Sequence, residues 1–181
     1  MIFGLTKKGY TVLTKFYPDL YSGERYKSHS IFHDVALVEI GNTLSRNPTV
    51  ENFWPENVIQ CSKLFEEDDS LSFFRDYNFD GLIKMKTASS GSFIFGLEYE
   101  NSQKESKRYH SKISQIYLQS RPQAVLIVCV SHSIEKAIKK AELEIVQSSQ
   151  KKLFFIQYDE LTKGEKNLTF ENQDGKRIVI K

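Results

Sequence analysis

Three acids stand at the ends of two strand-like runs. Asp80 heads DGLIKMK, and Glu98 and Glu100 close SFIFGLEYE. A basic segment carrying Lys104, Lys107, Arg108 and Lys112 follows directly. Carboxylate oxygens meeting at one point, completed by water, are the donor set that Mg²⁺ or Mn²⁺ takes. Cations beside such an ion are what a phosphodiester needs for placement and charge neutralisation. The combination predicts a divalent metal held by Asp80, Glu98 and Glu100 next to a phosphate backbone.

The period of a strand makes this convergence physical, because alternate side chains share a face. Ile94, Gly96, Glu98 and Glu100 fall on one side of the second run, and Phe93, Phe95, Leu97 and Tyr99 on the other. In the first run Asp80, Leu82, Lys84 and Lys86 share a side. The linker TASSGS has the composition of a hairpin loop, which would lay the runs antiparallel and bring Asp80 toward the glutamates. The plainer reading is acids emerging into solvent where the core stops, and an ordinary solvated face for the basic segment.

Several elements must position these groups. IFHDVALVEIGNTLSR, residues 31–46, reads as an amphipathic helix with Phe32, Val35, Ala36, Ile40 and Leu44 on one stripe, closed by Asn47-Pro48. TVENFWP reads as a strand ending near Pro55, and KLFEEDDSLSFFRDYN as an acidic connection containing a loop. A helix from about Gln103 to Ser120 carries Tyr109, Ile113, Ile116 and Tyr117 on its apolar stripe, with Lys104, Arg108 and Lys112 along the rim. AVLIVCV, apolar without alternation, fits a central parallel strand. A helix over SIEKAIKKAELEI, a strand in KKLFFIQYDEL and a hairpin turning at Asp174-Gly175 complete the chain.

Composition narrows the classes. At 181 residues with net charge +2, the chain fits one α/β domain with no overall basicity, so any nucleic-acid signal is local. Cys61 and Cys129 are far apart and the four histidines form no zinc-binding spacing, which excludes a finger or a disulfide framework. No apolar run reaches a membrane span and no signal-peptide core opens the chain, so no membrane partner and a cytoplasmic location are expected. Residues 1–30 read as an N-terminal extension, its LTKKG turn reminiscent of the wing of a winged-helix module, and residues 31–181 are expected to form the main domain with its C-terminal hairpin.

Helix, strand, strand with an acid, strand with paired acids, basic helix, buried strand: this order resembles the core of the PD-(D/E)xK nucleases, the restriction-endonuclease-like fold. Within that superfamily the chain looks most like the replication-relaxation family of bacterial plasmid and mobile-element proteins. Its marks would be His33, Trp54 and Glu56, Asp80-Gly81, Glu98 and Glu100, and Lys112 with Tyr117. The resemblance implies a mixed central β-sheet flanked by helices, and DNA binding with metal-dependent phosphodiester hydrolysis in plasmid or mobile-element replication or mobilisation. It also implies DNA as partner, with a second copy of the chain or replication and mobilisation proteins beside it. Lys104, Lys107 and Arg108 would hold the DNA backbone.

Two departures stand out. Phe79 replaces the proline of the family pattern, and Glu100 stands where a catalytic nuclease carries lysine. The lysine that places water and offsets phosphate charge must then come from elsewhere. Lys112 is the first choice, with Lys84, Lys86, Lys104 and Lys107 behind it. The same departure leaves open a catalytically inactive nuclease fold that binds DNA, or a protein-interaction module.

Overall fold

A computed structural model describes residues 30–62, 64–67, 69–87, 91–118, 122–147, 150–163 and 167–181. The wing-like opening of the chain lies outside the described residues. Within them the fold is α/β, built on a mixed seven-stranded sheet whose strands lie side by side in chain order. These are β1 (Val50–Pro55), β2 (Gly81–Lys86), β3 (Ser92–Glu100), β4 (Val125–Cys129), β5 (Leu153–Gln157), β6 (Leu168–Glu171) and β7 (Arg177–Ile180). Neighbours are antiparallel except β3 with β4 and β4 with β5, which are parallel. The parallel steps follow from the helices between them, since a parallel return needs a crossover.

Helix α1 (Ile31–Ser45) starts on Ser30, whose side chain accepts a hydrogen bond from the His33 backbone N–H. Ala36, Leu37, Ile40 and Leu44 are buried on one sheet face with Ile83, Met85, Leu97, Tyr99, Leu126 and Val128. Phe32 and Val35, expected on that stripe, are instead 86% and 52% exposed. The helix is apolar nearly all round, so hydrophobicity alone did not say which face would turn inward.

Among the described residues, β1 is followed by α2 (Glu56–Cys61), and the acidic connection expected to contain a loop holds α3 (Leu64–Glu67), α4 (Asp69–Ser72) and a 3₁₀ turn, Phe73–Tyr77. Their buried residues Ile59, Phe65, Leu71, Phe74 and Tyr77 join a second core on the other sheet face. There they meet α5 (Ser106–Leu118) and α6 (His132–Ile145) through Tyr109, Ile113, Ile116, Ile134, Ile138 and Ala141. The helical stripes therefore pack as their spacing predicted, although α5 begins at Ser106, later than expected. β4 is buried over its whole length between β3 and β5, as an apolar run without alternation requires.

The strand in KKLFFIQYDEL ends at Gln157, and the chain continues as the short helix α7 (Tyr158–Thr162). The C-terminal hairpin turns through Gly175 at φ 75°, a left-handed conformation that glycine adopts without cost. No helix among the described residues is long and apolar enough to cross a membrane.

Candidate functional site

The hairpin of β2 and β3 fixes the site. Gly81 pairs with Leu97, so the register continued by one residue sets Asp80 beside Glu98. Asn78 makes the entry to β2 possible. Its backbone adopts φ 48°, and no other non-glycine among the described residues has positive φ. Asparagine tolerates that region better than most side chains.

Phe79 then turns fully into the core, stacked on Tyr77 at 5.2 Å with the rings 2° apart. Its ring lies under Gly96, where an added Cβ would come within 2.8 Å of it. Phe79, the departure from proline, is thus a wedge that sets the height of Asp80 against β3.

Asp80 Oδ2 accepts a hydrogen bond from the Tyr99 backbone N–H at 2.7 Å and faces His33 Nε2 at 3.4 Å. That hydrogen-bonding contact with Asp80 holds the His33 imidazole above its ordinary 6.5, against the opposing effect of burial. His33 also packs on Tyr99, ring centroids 5.4 Å apart. The histidine at the head of α1 therefore belongs to the site.

Glu98 is only 6% exposed. Burial pushes its carboxyl up from 4.5 to about 8, with Lys112 pulling it down and the Asp80 charge adding to the rise. Lys112 reaches from α5 to place Nζ 2.6 Å from Glu98 Oε1 and 3.3 Å from the Asn78 carbonyl. Burial works to lower the Lys112 ammonium, but Glu98, with the Asp80 and Glu100 charges, more than offsets it and the group is held above its usual range. Lys112 Nζ also sits 5.7 Å from the centre of the Phe79 ring.

Glu100 lies one step further along the same face. Lys104 Nζ meets its Oε2 at 2.7 Å. Both lysine contacts are ion pairs by distance. Glu98 Oε1 and Glu100 Oε2 are thus buried carboxylate oxygens, each faced by one of these ammoniums.

A cleft of about 660 Å³ opens over these groups, lined among others by His33, Asp80, Glu98, Lys104, Arg108 and Lys112. Of the residues singled out from sequence, Glu100 and Lys107 are not among the described residues lining it. Arg108 lines it and makes no ion pair among the described residues. Lys84 is turned to the other end of β2, where it pairs with Glu51 at 3.3 Å. Glu56 also borders the cleft, its backbone N–H donating to the Asp80 carbonyl at 2.9 Å.

No trio of His, Cys, Asp or Glu side chains among the described residues is close enough to enclose a metal ion. A divalent cation here would rest on Asp80 and Glu98 and complete its shell with water and substrate oxygens, as Mg²⁺ commonly does. The carboxylates of Asp80 and Glu98, set side by side by the β2–β3 register in one cleft, are the donors that fit that role. Sequence reasoning missed Asn78, whose carbonyl receives Lys112; its signal was an Asn two residues ahead of the strand acid.

A further buried acid lies away from the cleft. Glu142 of α6 accepts from Tyr117 Oη at 2.5 Å, from the Leu153 backbone N–H at 3.2 Å and from Gln173 Nε2 at 2.7 Å. It ties α5, α6, β5 and the hairpin together. Tyr117, paired with Lys112 in the family pattern, is thus a structural residue in this fold.

The chain matches no family model, no curated protein and no solved structure.

Proposed function

We propose that the chain is a restriction-endonuclease-like domain that engages DNA and hydrolyses phosphodiesters with Mg²⁺ or Mn²⁺, in the manner of the replication-relaxation proteins it resembles. The observation that carries this reading is the Lys112 ammonium 2.6 Å from Glu98, in one cleft with Asp80. It supplies from a helix the lysine that Glu100 displaces from the strand. The order of α1, β1, β2, β3, α5 and β4 supports the fold assignment.

Asp80 and Glu98 hold the ion, which when bound acidifies a water and withdraws charge from the scissile phosphate. Asp80 is fixed for this by the Tyr99 N–H and by His33. Lys112 orients the attacking water and offsets charge on the phosphate, its ammonium anchored by the Asn78 carbonyl. Arg108, without an acidic partner among the described residues, grips a neighbouring phosphate. Lys104, braced by Glu100, lines the same wall, and exposed Lys107 adds longer-range attraction.

A second reading, a DNA-binding module of the same fold without hydrolysis, draws on two observations. The strand lysine is missing, and lysine ammoniums already face both glutamates. Degradation of linear DNA across divalent metals, with Glu98→Ala as control, separates the two, and titration calorimetry with Mn²⁺ on wild type and Asp80→Ala tests the metal itself. Saturable heat in wild type that vanishes in the variant supports the metal-dependent reading, and absent or equal heats in both reject it.

A further inference from the structure

At the far end of β3, about 20 Å along the strand from the cleft, lies a second concavity of about 470 Å³. Phe93, Phe95 and Phe154 form its apolar wall, Gln123 sits at its edge, and Lys152 and Lys176 border it. Phe93 is 50% exposed although it opens the longest strand of the sheet, and its ring lies 6.3 Å from that of Phe95 at 47°. The contrast with the cleft is in charge. The cleft is bordered by Asp34, Glu56, Asp80 and Glu98, whereas no acidic side chain is among the described residues lining this concavity.

We infer that this concavity is a stacking site for an unpaired base of single-stranded nucleic acid, with Phe93 as platform and exposed Lys176 meeting a flanking phosphate. An exposed aromatic face with cations at its border is complementary to a base attached to phosphate, because the ring meets a π-face while the ammoniums meet the backbone. Gln123 offers a donor and an acceptor to a base edge. Duplex DNA does not satisfy the site, since its base faces are already stacked on one another; only an unpaired base presents one. The inference rests on the nucleic-acid reading of the cleft for its choice of ligand, but uses none of the cleft residues.

Fluorescence anisotropy with a labelled single strand of about 15 nucleotides, and with a strand of the same length lacking bases, reads stacking apart from charge. Wild type should bind the base-bearing strand more tightly than the abasic one. Phe93→Ala should erase that preference, a loss of roughly tenfold, while Phe93→Trp keeps it. Lys176→Glu should weaken both strands. Arg108→Ala, in the cleft, should weaken both strands alike and so keep their ratio; no effect of Arg108→Ala marks failure of the cleft reading, whereas equal binding of the two strands by wild type marks failure of this one. Equal binding of the two strands by wild type, no binding of either, or a preference that survives Phe93→Ala overturns the inference. Phe93 is half exposed, and circular dichroism checks that its variants fold.

Discussion

Replacing Glu98 with Gln should flatten the fall of stability with rising pH. The Glu98 carboxyl is pushed by burial from 4.5 in the unfolded chain to about 8 in the fold, even with Lys112 beside it. Because the folded value is the higher one, the folded state holds the proton more tightly. Its stabilisation is fully present below about pH 4.5 and is lost as pH climbs through about 8. At about 1.4 kcal/mol per unit, the window amounts to about 5 kcal/mol as an upper bound, trimmed by whatever relaxation admits water to the ionised carboxylate. Gln keeps the volume and removes the titration, while His33 titrates in both proteins and cancels. Urea unfolding at about pH 5, 7 and 9 with a chelator present should show the variant gaining on wild type by several kcal/mol across the range. Parallel stability curves would refute the reasoning, and would mean that Lys112 fully compensates an ionised Glu98 inside the fold.

Other consequences follow from the same geometry. The His33 ring should titrate above 6.5 by NMR and fall back toward 6.5 in Asp80→Asn, since contact with Asp80 is the largest cause of its rise. Gly96→Ala should cost about 1–3 kcal/mol, because the new methyl meets the Phe79 ring at 2.8 Å, and should also weaken Mn²⁺ binding by shifting neighbouring Asp80. Tyr117→Phe should lower stability by about 1–3 kcal/mol by taking a donor from buried Glu142, and should leave Mn²⁺ heats unchanged. Ser131→Ala should cost about 1 kcal/mol in thermal unfolding, as the Ser131 hydroxyl caps α6 by accepting from the Ile134 N–H.

Much of the sheet was legible because strands declare their faces. The alternation in SFIFGLEYE put Glu98 and Glu100 on one face and Leu97 and Tyr99 on the other; in the fold Glu98 meets Lys112 of α5, and Leu97 and Tyr99 pack with α1. The unbroken apolar run of β4 told its central position, and Asp174-Gly175 its hairpin. Three things were hidden, each for a physical reason. The orientation of α1 was obscure because apolar residues surround that helix. The helices of residues 56–72 were obscure because their acids mask a thin apolar stripe through Ile59, Phe65 and Leu71. The third was the partition of the acids. Spacing could put Asp80, Glu98 and Glu100 at one sheet end, but could not show that Lys112 would meet Glu98 while Lys104 met Glu100. Helix-to-strand contacts of that kind depend on the tilt of α5, which the core residues Tyr109, Ile113 and Ile116 set.

The most direct test is cleavage of end-labelled linear DNA in Mn²⁺ by wild type, Glu98→Gln and Lys112→Ala prepared side by side. Wild type should cut, and each variant should be slower by about 100-fold or more. Cutting that persists undiminished in either variant, or no cutting by wild type across divalent metals, would contradict a catalytic centre built on Asp80, Glu98 and Lys112.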